Sequence, residues 1–403
     1  MQDVPLARTP DYYVYPEARP VEVVANGDRV SLRWSDGVNL DAYSLWLFEN
    51  QMGNVTVEER TRELMADPAH LPEPLIIAGA SVADDGDVVV DWVDGHRSTY
   101  HSGWLRHVAE GQQRSSAALP EPVRWTPADG AVPRTHDGPA VLADDDALLV
   151  FLTDAVRFGL VRLEGLPTDH DTLPELGRRI GALRDTNFGE TWSVSVDLEP
   201  TSTANTALPL PPHTDLPTRE TPPGFQLLHC RVNTCGAGYS TMTDGYAVVD
   251  YLRREAPDHY EALTTLKWVF FNRSPNHDHR WSGPIIDGTA AGAPLTLRAF
   301  HPVRGFPDMA IEDQPRAYAA LRLFSQVAGS PEFQIRYPFR PGDLVMFDNR
   351  RILHGRTAID SEGGVRELHG TYIDHDEVYS RLRVLTRHRQ AHRDELNGKK
   401  DHA

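Results

Sequence analysis

At 403 residues the chain can bury a large core and has room for a second, smaller domain. Its 58 acidic side chains against 40 basic ones, a formal net charge of -18 with no compensating basic stripe, exclude a general binder of nucleic acid or anionic membranes. Two cysteines, Cys230 and Cys235, are too few for a disulfide framework, no apolar run approaches membrane-spanning length, and the amino terminus lacks the apolar stretch of a signal peptide. A cytoplasmic protein acting on a small molecule is expected, without nucleic-acid or membrane partners and with a homodimer left open.

The first hundred residues carry an imperfect repeat. Val30-Ser-Leu-Arg-Trp34-Ser-Asp36-Gly37 is echoed by Val88-Val-Val-Asp-Trp92-Val-Asp94-Gly95. Each copy is an alternating strand closed by the Asp-Gly chemistry of a hairpin turn. An aromatic stretch follows each one, Tyr43 to Leu47 and Tyr100 to Leu105. Residues 1–110 therefore read as a small β-rich domain, and residues 111–139, rich in Pro, Gly, Ser, Ala and Gln, as a linker.

Beyond it, residues 144–156 and 172–183 have helical periodicity and flank a strand at 158–163. Periodicity lapses from 185 to 223, where Pro, Thr and Gly dominate, and so long a loop inside a compact domain is usually functional. Strands are expected at 225–232, 239–243, 267–271, 295–300, 333–337, 343–347 and 370–373, with helices at 248–266 and 317–327. Many short strands with few helices predict a mainly β fold with flanking helices. Its main domain, residues 140–390, would be a double-stranded β-helix (jelly roll), an architecture that holds a site in its mouth. Residues 391–403 read as a polar, frayed tail.

His213-Thr214-Asp215, answered downstream by His354, is the candidate site. Residues i and i+2 of a strand point to one side, so His213 and Asp215 can ligate one metal while Thr214 turns into packing. Two histidines and one carboxylate occupy one face of Fe(II) and leave the other open for chemistry. The pattern recurs at His259/Glu261, His375/Glu377 and His392/Asp394, but only the first match lies among prolines, where a loop meets a strand. His259 falls in a helical run, His375 in an acidic stretch that reads as a solvated turn, and His392 in the tail. Downstream, Pro341-Gly342-Asp343 reads as a turn and residues 344–347 as a buried strand leading to His354, with Arg366 twelve residues further on.

Together, His213-Thr-Asp215, Pro222-Pro-Gly-Phe-Gln-Leu-Leu-His-Cys230, Phe347-Asp-Asn, Leu353-His-Gly-Arg356 and Tyr379-Ser-Arg-Leu-Arg-Val-Leu resemble one group of enzymes. These are the Fe(II)/2-oxoglutarate dioxygenases of the γ-butyrobetaine and trimethyllysine hydroxylase branch, a taurine-dioxygenase-like family. The resemblance implies an enzyme in which His213, Asp215 and His354 hold Fe(II) and 2-oxoglutarate chelates that iron. The distal carboxylate of the cosubstrate would lie against Arg366, with Arg356 as a second contact, and O2 would be the oxidant. A guanidinium suits that task because its planar fork pairs with both carboxylate oxygens. The amino-terminal repeat resembles the branch's accessory domain, which holds zinc through a cysteine cluster and a histidine. Here Gln51-Met-Gly-Asn stands without cysteine beside His96, so loss of that zinc is expected.

The branch's aromatic cage for a trimethylammonium head corresponds here to Phe188, Trp192, Asn205 and Tyr372. With Asn205 and Phe188 in place of two tyrosines, cation–π stabilisation is reduced. A small polar amine, amino acid or phosphonate is then expected as the substrate, hydroxylated at an aliphatic carbon, with γ-butyrobetaine or trimethyllysine as the alternative. Anion contacts are expected from Asn272, Arg273, His277, His279 and Arg280, or from His301 and Arg304. Two other readings use the same residues, a non-catalytic jelly-roll binder and a zinc or manganese hydrolase. The first predicts a missing ligand, and Arg366 disfavours the second.

Overall fold

The computed structural model describes residues 8–53, 56–71, 73–114, 116–130, 133–195, 206–235, 238–288, 295–359 and 364–398. It divides into two units, one of residues 8–118 together with the chain's end from Gln390, the other of residues 119–389.

The first unit is the sequence repeat made solid. Strands β1 (Glu22–Asn26), β2 (Arg29–Arg33) and β3 (Asn39–Tyr43) form one antiparallel sheet that leads into helix α1 (Ser44–Glu49). Strands β4 (Ile77–Val82), β5 (Val88–Trp92) and β6 (Arg97–Tyr100) form the second, which leads into α2 (Ser102–Ala109). Both Asp-Gly turns close the same way. The N–H of Trp34 donates to Val38 O and that of Trp92 to His96 O, at 3.0 and 2.9 Å, while Gly37 and Gly95 donate back to the tryptophan carbonyls. These glycines sit at φ +89° and +87°, where a side chain would be strained. The alternating Val30, Leu32, Trp34 and Val88, Val90, Trp92 meet in one core, where Trp46 and Trp104 of the two copies stack at 5.3 Å.

The second unit begins earlier than the sequence suggested. Residues 119–139, read as linker, contribute buried Trp125 and strand β7 (Arg134–Asp137), which pairs in parallel with β8 (Leu160–Glu164). Helices α3 (Gly138–Ala143) and α4 (Asp145–Phe158) precede β8 in the chain, α5 (Thr172–Ile180) comes after it, and β9 (Thr191–Ser195) and β10 (Leu210–His213) follow. Next come β11 (Phe225–Asn233), β12 (Ser240–Asp244), α6 (Gly245–Glu255) and α7 (Pro257–Thr265). The hairpin β13 (Lys267–Ser274) and β14 (His277–Gly283) precedes the short β15 (Ile286–Asp287) and β16 (Thr296–Leu297), then β17 (Arg304–Asp308) and α8 (Gln314–Ala328). Strands β18 (Gln334–Tyr337), β19 (Leu344–Asp348), β20 (Ile352–Arg356) and β21 (Arg366–Ile373) lead to the closing helix α9 (His375–Gly398).

Two sheets make the jelly roll. One runs β7-β8-β19-β11-β21-β9 and the other β10-β20-β12-β18. Alternation along β11 divides its side chains between two cores. Phe225 and Leu227 pack outward with Leu148, Leu152, Leu176 and Leu382 of α4, α5 and α9, while Leu228 and Cys230 meet Met242, Phe347, Ile352 and Leu368 between the sheets. A third core under α6, α7 and α8 takes in Leu353 of β20.

Five further sequence expectations need correction. The single helix expected over 248–266 is broken between α6 and α7 at Pro257, which starts a new helix because proline fixes φ and lacks an N–H. The strand expected at 295–300 shrinks to β16, and β9 forms inside the stretch read as structureless. The tail expected to fray from 391 is helical as far as Gly398, anchored upstream by buried Val378, Leu382 and Leu385. His375 is not in a solvated turn, since it opens α9 half-buried with Nε2 2.9 Å from Asp348 Oδ1.

Candidate active site

Strands β10 and β20 bring the site together, because His213 pairs directly with His354 and their rings lie 4.1 Å apart. The Nε2 atoms of His213 and His354 stand 3.5 and 3.7 Å from Asp215 Oδ1. Ligand atoms of all three lie within 4.8 Å of one another, in reach of one ion. Thr214 turns away, its N–H donating to Ala299 O at 2.8 Å and its hydroxyl to Leu297 O at 3.0 Å.

The surroundings hold each ligand ready. His213 Nδ1 lies 2.9 Å from Pro211 O, a bond that places the proton there and leaves Nε2 free for metal. Burial, reinforced by His213, pushes His354 down to about 3, so it is a neutral donor near pH 7. Burial alone would raise Asp215, but His354 and His213, helped by the Tyr372 hydroxyl donating to Oδ2 at 2.7 Å, hold it below the usual carboxylate range. Asn349 grips the backbone of Asp215 at two points. Its Oδ1 accepts the Asp215 N–H at 2.7 Å, and its Nδ2 donates to Asp215 O at 3.0 Å and Pro223 O at 3.3 Å. Leu216 follows at φ +51°, a left-handed conformation uncommon outside glycine. Arg298 secures the next turn by donating to the carbonyls of Pro217, Arg219 and Glu220.

Arg366 opens β21, buried beside Cys230 and Tyr337, and donates to Ser240 Oγ at 3.3 Å. Its Nε has no hydrogen-bond partner, and no described carboxylate forms an ion pair with it. Arg356 donates to Thr206 O and Leu208 O, holding the chain that leads into β10. Burial first, then the neighbouring Arg366, pushes Arg356 down to about 10. Two buried guanidiniums that repel each other favour an anion beside them.

A cleft of about 610 Å³ opens from His213 and Asp215. Trp192 and Tyr372 stack at 4.2 Å on its wall, and Phe188, 45% exposed, stands at its rim. Asn205 lies outside the described residues. Phe271 and Phe300 also line the cleft, Phe300 stacked on His213 at 4.6 Å. Sequence reading missed these two rings and saw Asn349 only within the Phe347-Asp-Asn motif, because their proximity is created only by the fold. Of the expected anion contacts, Asn272, Arg273 and His277 line the cleft. Arg280 instead pairs with Asp278, and Arg304 lies over Trp268. His301 stands 3.4 Å from the Ser325 hydroxyl.

Comparison with known families matches residues 123–372 to the taurine catabolism dioxygenase TauD, TfdA family. The chain belongs to that family. Among its relatives, a gamma-butyrobetaine dioxygenase of Pseudomonas sp. (strain AK-1) is 39% identical over 94% of this chain and 99% of its own length. The human gamma-butyrobetaine dioxygenase is 30% identical over 75% of this chain and 81% of its own. The mitochondrial trimethyllysine dioxygenase of Gallus gallus is 27% identical over 93% and 90%. As a TauD/TfdA member the chain is an Fe(II)- and 2-oxoglutarate-dependent dioxygenase with a jelly-roll core. The donors present suit that metal, two imidazoles and one carboxylate with ligand atoms in reach of one ion. Among the described residues, no helix is long and apolar enough to cross a membrane.

Proposed function

We propose that the enzyme hydroxylates an aliphatic carbon of a short zwitterionic amine. In this reading His213, Asp215 and His354 hold Fe(II) and Arg366 takes the distal carboxylate of 2-oxoglutarate. Arg356 supports Arg366 by adding positive charge and by fixing the chain before β10. Iron and cosubstrate together supply the oxidation, in which 2-oxoglutarate and O2 become succinate and carbon dioxide and the second oxygen atom enters a substrate C–H bond. The protein's own residues orient and exclude water. Phe300 and Phe347 pack against the two metal-site histidines, Asn349 fixes the backbone of Asp215, and Tyr372 holds its carboxylate.

The observation that carries the substrate class is the cleft's mixed lining. Phe188, Trp192, Phe271, Phe300 and Tyr372 offer aromatic surface to an ammonium head, and Arg273, Asn272 and His277 offer a cationic and polar contact to an acid group. A trimethylated head is the second reading, favoured by Phe271 and Phe300 and by two relatives named gamma-butyrobetaine dioxygenase. Free Cys230 and Cys235 and the acidic composition support a cytoplasmic location.

The test is substrate-stimulated 2-oxoglutarate turnover with γ-butyrobetaine, trimethyllysine, the unmethylated four-carbon amino acid, aminophosphonates and nitrogen-free acids. Preference for an unmethylated amine supports the first reading, and tight coupling with γ-butyrobetaine selects the second. Stimulation by the nitrogen-free acids alone would refute both.

A further inference from the structure

Gln226 is polar, 2% exposed and the second residue of β11, between buried Phe225 and Leu227. Its Oε1 has no hydrogen-bond partner. Cross-strand partners in antiparallel sheets share a face, and Gln226 is paired on one side with Phe347 and on the other with Tyr372. Phe347 packs 4.8 Å from the His354 ring, and the Tyr372 hydroxyl donates to Asp215. The Gln226 amide therefore projects between two side chains that each touch a metal ligand, inside the roll rather than toward the helices that receive Leu227. A half-turn of the amide places its N–H donors where Oε1 now stands.

Buried amides are nearly always hydrogen-bonded, and one left without a partner destabilises the fold unless a ligand completes it. Leucine would fill the space between Phe347 and Tyr372 without that cost. We propose that Gln226 is a cosubstrate-contacting residue whose amide N–H donates to the keto-acid end of 2-oxoglutarate, while Arg366 takes the far carboxylate. The proposal rests on the iron and 2-oxoglutarate reading of the site. It adds a neutral donor close to the metal ligands, where a second cation would compete with the iron for the same charge.

The test uses the whole protein, anaerobic, with Fe(II) alone and then with 2-oxoglutarate, following the visible charge-transfer band of the chelate and the heat of binding. Gln226→Leu should weaken 2-oxoglutarate binding on the order of ten- to a hundredfold. It should also leave Fe(II) affinity unchanged, and the metal-free protein should melt no lower than wild type. Gln226→Glu, which sets a carboxylate against the keto acid, should bind it more weakly than Gln226→Leu and shift the band. Unchanged affinity and band position in both variants would overturn the proposal. Gln226→Asn keeps the amide on a shorter arm, and failure of all three variants to fold would assign the amide to the core and also overturn it. A wild-type protein that binds Fe(II) but gives no 2-oxoglutarate signal would refute the Arg366 assignment first and Gln226 with it, a result distinct from loss in the variants alone.

Discussion

Arg366 is buried with no described carboxylate to pair with, so an arriving anion supplies the opposite charge it lacks. Arg366→Ala should weaken 2-oxoglutarate binding by about 2–5 kcal/mol while the protein stays folded. A calorimetric titration showing wild-type affinity would reject the role. Asn349 acts at one remove, through the backbone of Asp215. Asn349→Ala orphans an N–H and two carbonyls and should cost about 1–3 kcal/mol of stability for each group that water cannot reach. Fe(II) affinity should fall roughly ten- to a hundredfold, with 2-oxoglutarate affinity of the iron-loaded variant largely kept. Equal iron affinity in variant and wild type would make Asn349 a purely structural residue. The cluster of His213, Asp215 and His354 was legible because i, i+2 spacing and motif order carry it. Asn349 was visible only as part of Phe347-Asp-Asn, since its contact spans 134 positions and no local pattern reports it.

Elements show the same division between local and tertiary information. The Asp-Gly turns were readable because positive φ demands glycine there, and Pro257 announces the start of α7 to anyone who weighs proline above periodicity. Strand β9 was hidden, because among the described residues its ladder is to β21, far ahead in the sequence. On β11, His229 is fully buried on the face of Phe225 and Leu227, and neither ring nitrogen finds a well-formed hydrogen bond. Burial, reinforced by His369, lowers it from an ordinary 6.5 to about 4. The charged form is thus disfavoured in the fold. The unfolded chain takes up a proton first, and stability, complete above pH 6.5, falls as pH drops toward 4, by up to about 3 kcal/mol from this residue. His229→Leu should melt higher than wild type at neutral pH and lose less on acidification. Parallel melting curves for the two proteins from pH 7.5 to 4.5 would contradict this.

At the scale of the whole molecule, the resemblance foresaw the jelly roll and its chemistry, and length and the amino-terminal repeat foresaw a second unit. The partition of residues 119–139 escaped because Pro and Gly signal a change of direction, not whether the segment packs. Trp125 and β7 pack. In the amino-terminal unit, Trp92 Nε1 donates to Ser98 Oγ at 2.8 Å and Ser98 donates to Gln51 Oε1, beside His96, which packs edge-on to Phe48. A neutral hydrogen-bonded relay occupies the place where ionised sulfur ligands would be needed, so elemental analysis of protein purified without added metal should find no stoichiometric zinc. One chelator-resistant zinc per chain would refute that expectation.

If His213, Asp215 and His354 form an iron site driving 2-oxoglutarate-coupled oxidation, O2 consumption and succinate release must rise and fall together. Wild-type protein given Fe(II), 2-oxoglutarate and a turned-over amine should release one succinate for each O2 consumed. His213→Ala, Asp215→Ala and His354→Ala should each abolish both, because a three-ligand face missing one member loses metal affinity and the geometry of the open positions. Near-normal succinate release by any of the three variants, or turnover of the amine supported by zinc without O2 consumption, would contradict the account.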